Sequence, residues 1–261
     1  MAIKTIETVP HTVYPLPSTL RAAWLIAQRS ALESLRDRTT VITSSILALV
    51  VPIVIVLTVI RPAALHLATP PARAGFGTLL ALYIYVVGMF PSSGAVSIAS
   101  GVFAGEKERG CLTPLLVTPA SNVALFTGKV LGAVVPALFY SAVAVASFFV
   151  EVVLLVGPDK LQLLPSIHAL AMLALVPSVA ILGAAIASLI SSRVRTYNSA
   201  QTFASLLLLP VMALLFVLAV ILQSWNPWLQ FLAVFAVFAL DLIVLTLGAM
   251  TWRREEVLAQ Q

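Results

Sequence analysis

Six stretches of this chain, residues 41–60, 77–104, 130–156, 165–191, 200–222 and 229–251, contain no charged side chain except Glu151 and Asp241. Each is as long as, or longer than, the ~20 apolar residues an α-helix needs to cross bilayer hydrocarbon. Water is therefore not the main solvent. Composition agrees, with 61% hydrophobic and only 10% charged residues and a mean hydropathy of +1.07, where soluble domains carry about 25% charge. A β-barrel would need alternating segments of about ten residues, but these runs are continuous and rich in Leu, Ala and Val. The expected fold is an all-α integral membrane protein with six transmembrane helices. The last two are divided by "SWNPW", where Asn226 and Pro227 favour a turn and Trp225 and Trp228 suit the headgroup layer.

Orientation follows from the basic residues. With the N-terminus inside, twelve of the fifteen Lys and Arg residues lie inside, leaving Arg61, Arg73 and Lys160 outside. Both termini are then expected in the cytoplasm, with 253–261 as a short tail. The segment before the first span, within residues 1–40, reads as a helix with an N-cap at Ser18 and a stripe of Leu20, Ala23, Trp24, Ala27, Ala31 and Leu35. Arg29, Glu33 and Arg36 take the other side. This fits an amphipathic helix in the inner membrane interface that bends into the first span near Thr39 and Thr40; the alternative is a soluble helix packed on the protein. Residues 1–40 have no apolar leader core, so the first span is expected to act as an uncleaved anchor. Residues 41–252 form the expected six-helix domain.

Several chemistries are excluded. Cys111 is the sole cysteine, which rules out an internal disulfide, a thiolate cluster and a C-x-x-C redox pair. His11, His66 and His168 lack metal-ligand spacing, and no catalytic constellation is evident. The net charge of +5 comes without a basic run interleaved with aromatics, so nucleic-acid binding is not expected. No G-x-x-x-x-G-K-[ST] loop occurs, and "AGEK" and "TGKV" lack its glycine spacing. ATP hydrolysis by this chain is not expected.

Inside the spans, Pro52, Pro91, Pro136, Pro177 and Pro210 each remove a backbone donor and can kink a helix. "MFPSSGAVSIASG" adds Ser92, Ser93, Gly94, Ser97 and Ser100, suited to close packing or to a weakly polar substrate path. Asp241 lies roughly 17–20 Å from either end of its helix, near the bilayer middle. It reads either as a cation or substrate contact or as a protonated acid bonded to a neighbouring helix. Glu151, about 33 Å along the third helix from Lys129, is expected in water at the outer interface. The loop of residues 61–76 is too short for a folded ectodomain.

The chain keeps one long polar segment, "GEKERGCLTPLLVTPASNVALFTGK", residues 105–129. Glu106, Lys107, Glu108 and Arg109 point around the end of the second helix and must meet water or protein. Gly110 permits a sharp turn, and Leu112, Leu115 and Leu116 share one side of a short element bounded by Pro114 and Pro119. Lys129 reads as an inner-side anchor, with Gly128 and Gly132 spaced for close helix approach.

The run "FAGEKERGCLTPLLVTPASNVALFTGKVLGAVVP" resembles the segment after the second transmembrane helix of ABC-2 type transporter permeases, and the six-span layout agrees. The resemblance implies a coupling helix here, docking through Glu106, Lys107, Glu108, Arg109, Leu112, Leu115 and Leu116 onto a separate ATP-hydrolysing subunit. It further implies an exporter in the inner membrane of a prokaryote, with two permeases and two ATPase subunits. ATP and Mg would be held by the ATPase, with no cofactor in this chain. Asp241, Ser92, Ser93 and Ser97 are the candidates for a substrate or ion pathway. Family members often read Gly-Thr-Leu-Glu where this chain has Gly110, Cys111, Leu112 and Thr113. The missing acid leaves a heterodimer open beside the default homodimer. A secondary transporter using Asp241 for a coupling ion is the different-class alternative, and it would need a paired ionisable residue in the first half. Hydrophobic drugs, lipids, peptides, glycans and sodium all remain compatible as cargo.

Overall fold

The computed structural model describes residues 19–110 and 121–252, and among the described residues every regular element is a helix. Six helices of the described residues are long and apolar enough to cross a membrane: Arg38–Ala64, Pro70–Glu108, Asn122–Leu155, Ser166–Arg193, Tyr197–Leu222 and Pro227–Thr251. They are the first to sixth spans below. Helix α1, Thr19–Arg36, precedes them.

The second and fourth spans form the interior. Small residues make this possible, because a Cβ on Gly88 would stand 2.7 Å from a Val176 methyl, and one on Gly183 would stand 2.9 Å from Val96. Hydroxyls add hydrogen bonds that lipid cannot supply. Ser92 meets Ser141 of the third span at 2.7 Å and the Val176 carbonyl of the fourth at 3.4 Å. The second span is broken at Ser93, where one helix ends at Ser92 and the next begins at Gly94. Pro91 just before the break lacks the donor needed to continue the ladder.

Helix α1 lies along the start of the third span. That span has 34 residues, about 51 Å at 1.5 Å per residue, against roughly 30 Å of hydrocarbon. Gly128 and Gly132 provide the approach, since added Cβ atoms would meet the Ala23 carbonyl at 2.6 Å and the Ser30 side chain at 2.5 Å. The spacing expected to favour close packing does so, with α1 as partner. The stripe expected on α1 divides: Ala23, Ala27 and Ala31 are buried, while Leu20, Trp24 and Leu35 stay exposed. The bend into the first span falls at Asp37 rather than at Thr39 and Thr40, because the Asp37 carboxylate caps the new helix by accepting from the Thr40 amide at 3.0 Å. Ser18 lies outside the described residues.

The turn between the last two spans falls where Asn226 and Pro227 place it. The Asn226 side chain accepts from the Trp228 amide, and buried Gln230 donates to the Leu222 carbonyl at 2.6 Å. Two expectations need correction. Glu151 is 9% exposed and accepts from Ser147 at 2.6 Å, so it is packed rather than solvated. Lys129 is 2% exposed and cannot serve as a surface anchor; the length of the third span and the cover of α1 put it inside.

Candidate functional site

The four charges ending the second span reach four different neighbours. Glu106 pairs with Lys129 of the third span, whose ammonium also donates to the Val102 carbonyl at 2.8 Å and sits 4.6 Å from the centre of the Phe103 ring. Phe103 in turn packs against Phe126 and Trp252, with ring centres 6.3 and 5.2 Å away. A buried ammonium without a counter-charge would be costly, so this pair ties the two spans together at one register.

Lys107 and Glu108 engage helix ends. The Lys107 ammonium donates to the carbonyls of Ser192 and Val194 at 2.7 and 3.2 Å, where the fourth span finishes. The Glu108 carboxylate accepts from the Tyr197 amide at 3.0 Å, where the fifth span starts. A helix C-terminus favours a cation and an N-terminus an anion, each by about 0.3–1 kcal/mol. Antiparallel neighbours present one end of each kind side by side, which gives the Lys–Glu order a physical reason. Arg109 adds a weaker coulombic pull on Asp37, whose carboxyl is held below its ordinary range chiefly by hydrogen bonds from Thr40. Gly110 then turns the chain at a φ of +67°, a left-handed conformation that glycine adopts at no steric cost. Leu112, Leu115 and Leu116 lie outside the described residues.

A further contact braces this clasp. The Ser191 hydroxyl donates to the Ser100 carbonyl at 2.6 Å and accepts from the Ala104 amide at 2.8 Å and the Phe103 amide at 3.2 Å. It thereby sits within a turn of the second span. Side chains inserted there are a recognised cause of bending.

A cavity of about 630 Å³ opens between the first, second and fifth spans. Ser93 and Ser97 line it, and Ser97 is joined to the Tyr197 hydroxyl at 2.9 Å. Ser92 does not line it and serves the packing described above. Asp241 is also elsewhere: it is 2% exposed, and its polar neighbour is Ser178 of the fourth span. Neither carboxylate oxygen completes a hydrogen bond. No group of three or more His, Cys, Asp or Glu among the described residues could hold a metal.

A family model described as "ABC-2 family transporter protein" matches residues 27–250. The chain belongs to the ABC-2 transporter family. It is thus the membrane component of an ABC-type transporter, a permease rather than an enzyme, and the family in general works with an ABC ATPase. Comparison with curated proteins returns no match.

Of the pathway candidates named from sequence, the permease brings Ser93 and Ser97 together at one cavity and leaves Ser92 and Asp241 apart from it. Sequence reasoning missed the opposite wall, formed by Tyr197, Gln201, Ser205, Leu208 and Met212. The signal was present. Those positions recur every three or four residues, which places them on one face of the helix. Thr39, Thr40, Thr43, Ser44 and Leu47 make the same stripe on the first span.

Proposed function

We propose that this permease is the export subunit of an ATP-driven transporter in the cytoplasmic membrane of a prokaryote, with both termini in the cytoplasm. A separate subunit binds ATP and Mg and hydrolyses the nucleotide. The segment 106–116 is its docking contact, with Leu112, Leu115 and Leu116 as apolar anchors and Glu106, Lys107 and Glu108 passing the contact on to other spans. Two permeases and two ATPase subunits make the assembly, and the permeases pair as identical copies, the commonest arrangement for symmetric oligomers. A heterodimer is the other outcome of an assembly test.

The observation that carries this reading is the clasp. A push on the end of the second span meets the third span through Glu106 and Lys129, the end of the fourth through Lys107, and the start of the fifth through Glu108. One docking segment thus addresses three other spans, including the fifth, which walls the cavity. Rigid elements linked by such contacts are what coupling between distant sites requires. The secondary-transporter alternative gains no support, since Asp241 stands apart from the cavity.

Co-purification with the ATPase and transport by the reconstituted complex test this reading. Leu115→Asp or Leu116→Asp is expected to release the ATPase. Glu108→Lys is expected to leave it bound and hydrolysing ATP while transport is lost, because a cation then faces the N-terminus of the fifth span. Normal binding and transport in all three variants would falsify the docking assignment.

A further inference from the structure

The cavity between the first, second and fifth spans is graded along its length. On the first span its lining runs from Asp37 through Thr40, Thr43 and Ser44 to Leu47, about 15 Å of helix. On the fifth it runs from Tyr197 through Gln201 and Ser205 to Leu208 and Met212, about 22 Å. Both spans start at the same end of the bundle, because the Tyr197 amide and the Asp37 cap both lie beside the end of the second span. The gradients therefore run in parallel. One end of the cavity offers a carboxylate, hydroxyls and an amide, and toward the other the walls of the first and fifth spans turn to hydrocarbon, with Ser93 of the second span between them.

Volume and charge narrow what such a space accepts. About 630 Å³ lies within the roughly 300–1,000 Å³ of small-molecule sites, which is too small for a folded polypeptide or a polymer. Among the described residues, Asp37 is the sole ionisable acid or base of its lining apart from the Tyr197 phenol. An anionic head group would face the exposed Asp37 carboxylate with no Lys, Arg or His among the described lining residues, and like charges repel. A cationic head finds a counter-ion there, while the hydroxyls supply the rest of its hydrogen bonds. Arg109 acts on Asp37 from outside the lining.

We infer that the cavity binds a single-chain amphiphile with an amine head, the ammonium at Asp37 and the chain along Leu47, Leu208 and Met212. This rests on the cavity being the cargo path of the transporter proposed above, and it names the class of that cargo.

The test is competitive binding to the purified permease in phosphatidylcholine nanodiscs, with radiolabelled tetradecylamine as the probe. Competitors share the fourteen-carbon chain and carry an amine, a sugar or a phosphate head. The amine is expected to compete at least about tenfold better than the phosphate, equivalent to about 1.4 kcal/mol, with the sugar between them. Asp37→Asn preserves the helix cap, since Asn caps as well as Asp, and is expected to erase the difference between amine and phosphate. Ser97→Trp fills the cavity and is expected to weaken all three competitors. Phosphate competing as well as amine in the unaltered protein overturns the assigned class. A preference for amine that survives Ser97→Trp unchanged overturns the cavity as the binding place. Tight amine binding at the cavity with no transport of the amine by the complete complex leaves the site standing and overturns the cargo-path reading.

Discussion

The second and fourth spans and the first, fifth and sixth are all apolar helices, yet they meet different surroundings. In the second and fourth, 61% of the most apolar window is buried within the protein, against 22% in the other three. Hydropathy does not explain this, since the fifth span, at 3.0, is the most apolar of all and the second, at 1.7, the least. Residue size does. The second and fourth spans bury Gly88, Ala95, Ala99, Gly183, Ala184, Ser188 and Ser191, whereas the fifth presents Leu206 and Leu214 outwards. Lipid tails are as apolar as leucine, so leucine gains little by leaving them, while small residues gain from backbone approach and hydrogen bonding. The perimeter spans are consequently held at particular points, such as Glu108 on the fifth, and the cavity lies at the border between the two classes.

The largest effect is expected where the second span meets a buried charge of the third. Glu106→Gln leaves the Lys129 ammonium buried without its counter-ion, at a cost of about 3–5 kcal/mol. Lys129→Met should cost less, because the side chain of Glu106 is 32% exposed and that of Lys129 only 3%, so the glutamate can recover water. Thermal unfolding of the purified permease separates the two, and the double variant should regain much of the loss. Equal losses in both single variants would show that charge burial is not what holds this contact.

The sixth span sharpens the contrast, being a perimeter helix with one buried acid. Asp241→Asn keeps the shape and the hydrogen-bonding capacity toward Ser178 while removing the possibility of charge. It is expected to leave amine binding unchanged and to move stability by less than about 1 kcal/mol. Loss of transport with assembly intact would return Asp241 to the pathway. The smallest effect is expected at Leu206→Ala, which trims a side chain that is 71% exposed. A change within about 0.5 kcal/mol in the melting experiment fits a lipid-facing position, and a larger loss would mean that another protein surface covers it.

Much of the fold was legible because the features that define it are local. Charge-free length marks the spans, Asn226 and Pro227 mark the last turn, and Gly128 and Gly132 mark a close approach. What they approach was not legible, since nothing near residue 128 names α1. Lys129 shows the limit most clearly. A lysine at the start of an apolar run normally reaches the interface, and only the cover of α1 and the proximity of Glu106 turn it inward. The charges in "GEKERG" were recognisable as a cluster that must avoid lipid, but their partners, Ser192, Val194 and Tyr197, lie some ninety residues away. The cavity was half legible: Ser93 and Ser97 announce themselves within a serine-rich stretch, whereas Tyr197, Gln201 and Ser205 become a wall only when read at helical period.

The break at Ser93 divides the second span into arms of 23 and 15 residues, about 34 and 22 Å long. Taken as two rigid arms, they would turn about a point beside the cavity. By that leverage a tilt of roughly ten degrees at the pivot would swing the Glu106 end by about 4 Å, taking the shorter arm at 1.5 Å per residue. That stroke exceeds the reach of a hydrogen bond, so the Lys107 and Glu108 contacts would have to slip or drag the fourth and fifth spans along. The cavity lining at Ser93, Gly94 and Ser97 lies within a turn of the fulcrum and would travel only a fraction as far. The geometry is that of a gear reduction, a long excursion at the Glu106 end becoming a small displacement at the wall.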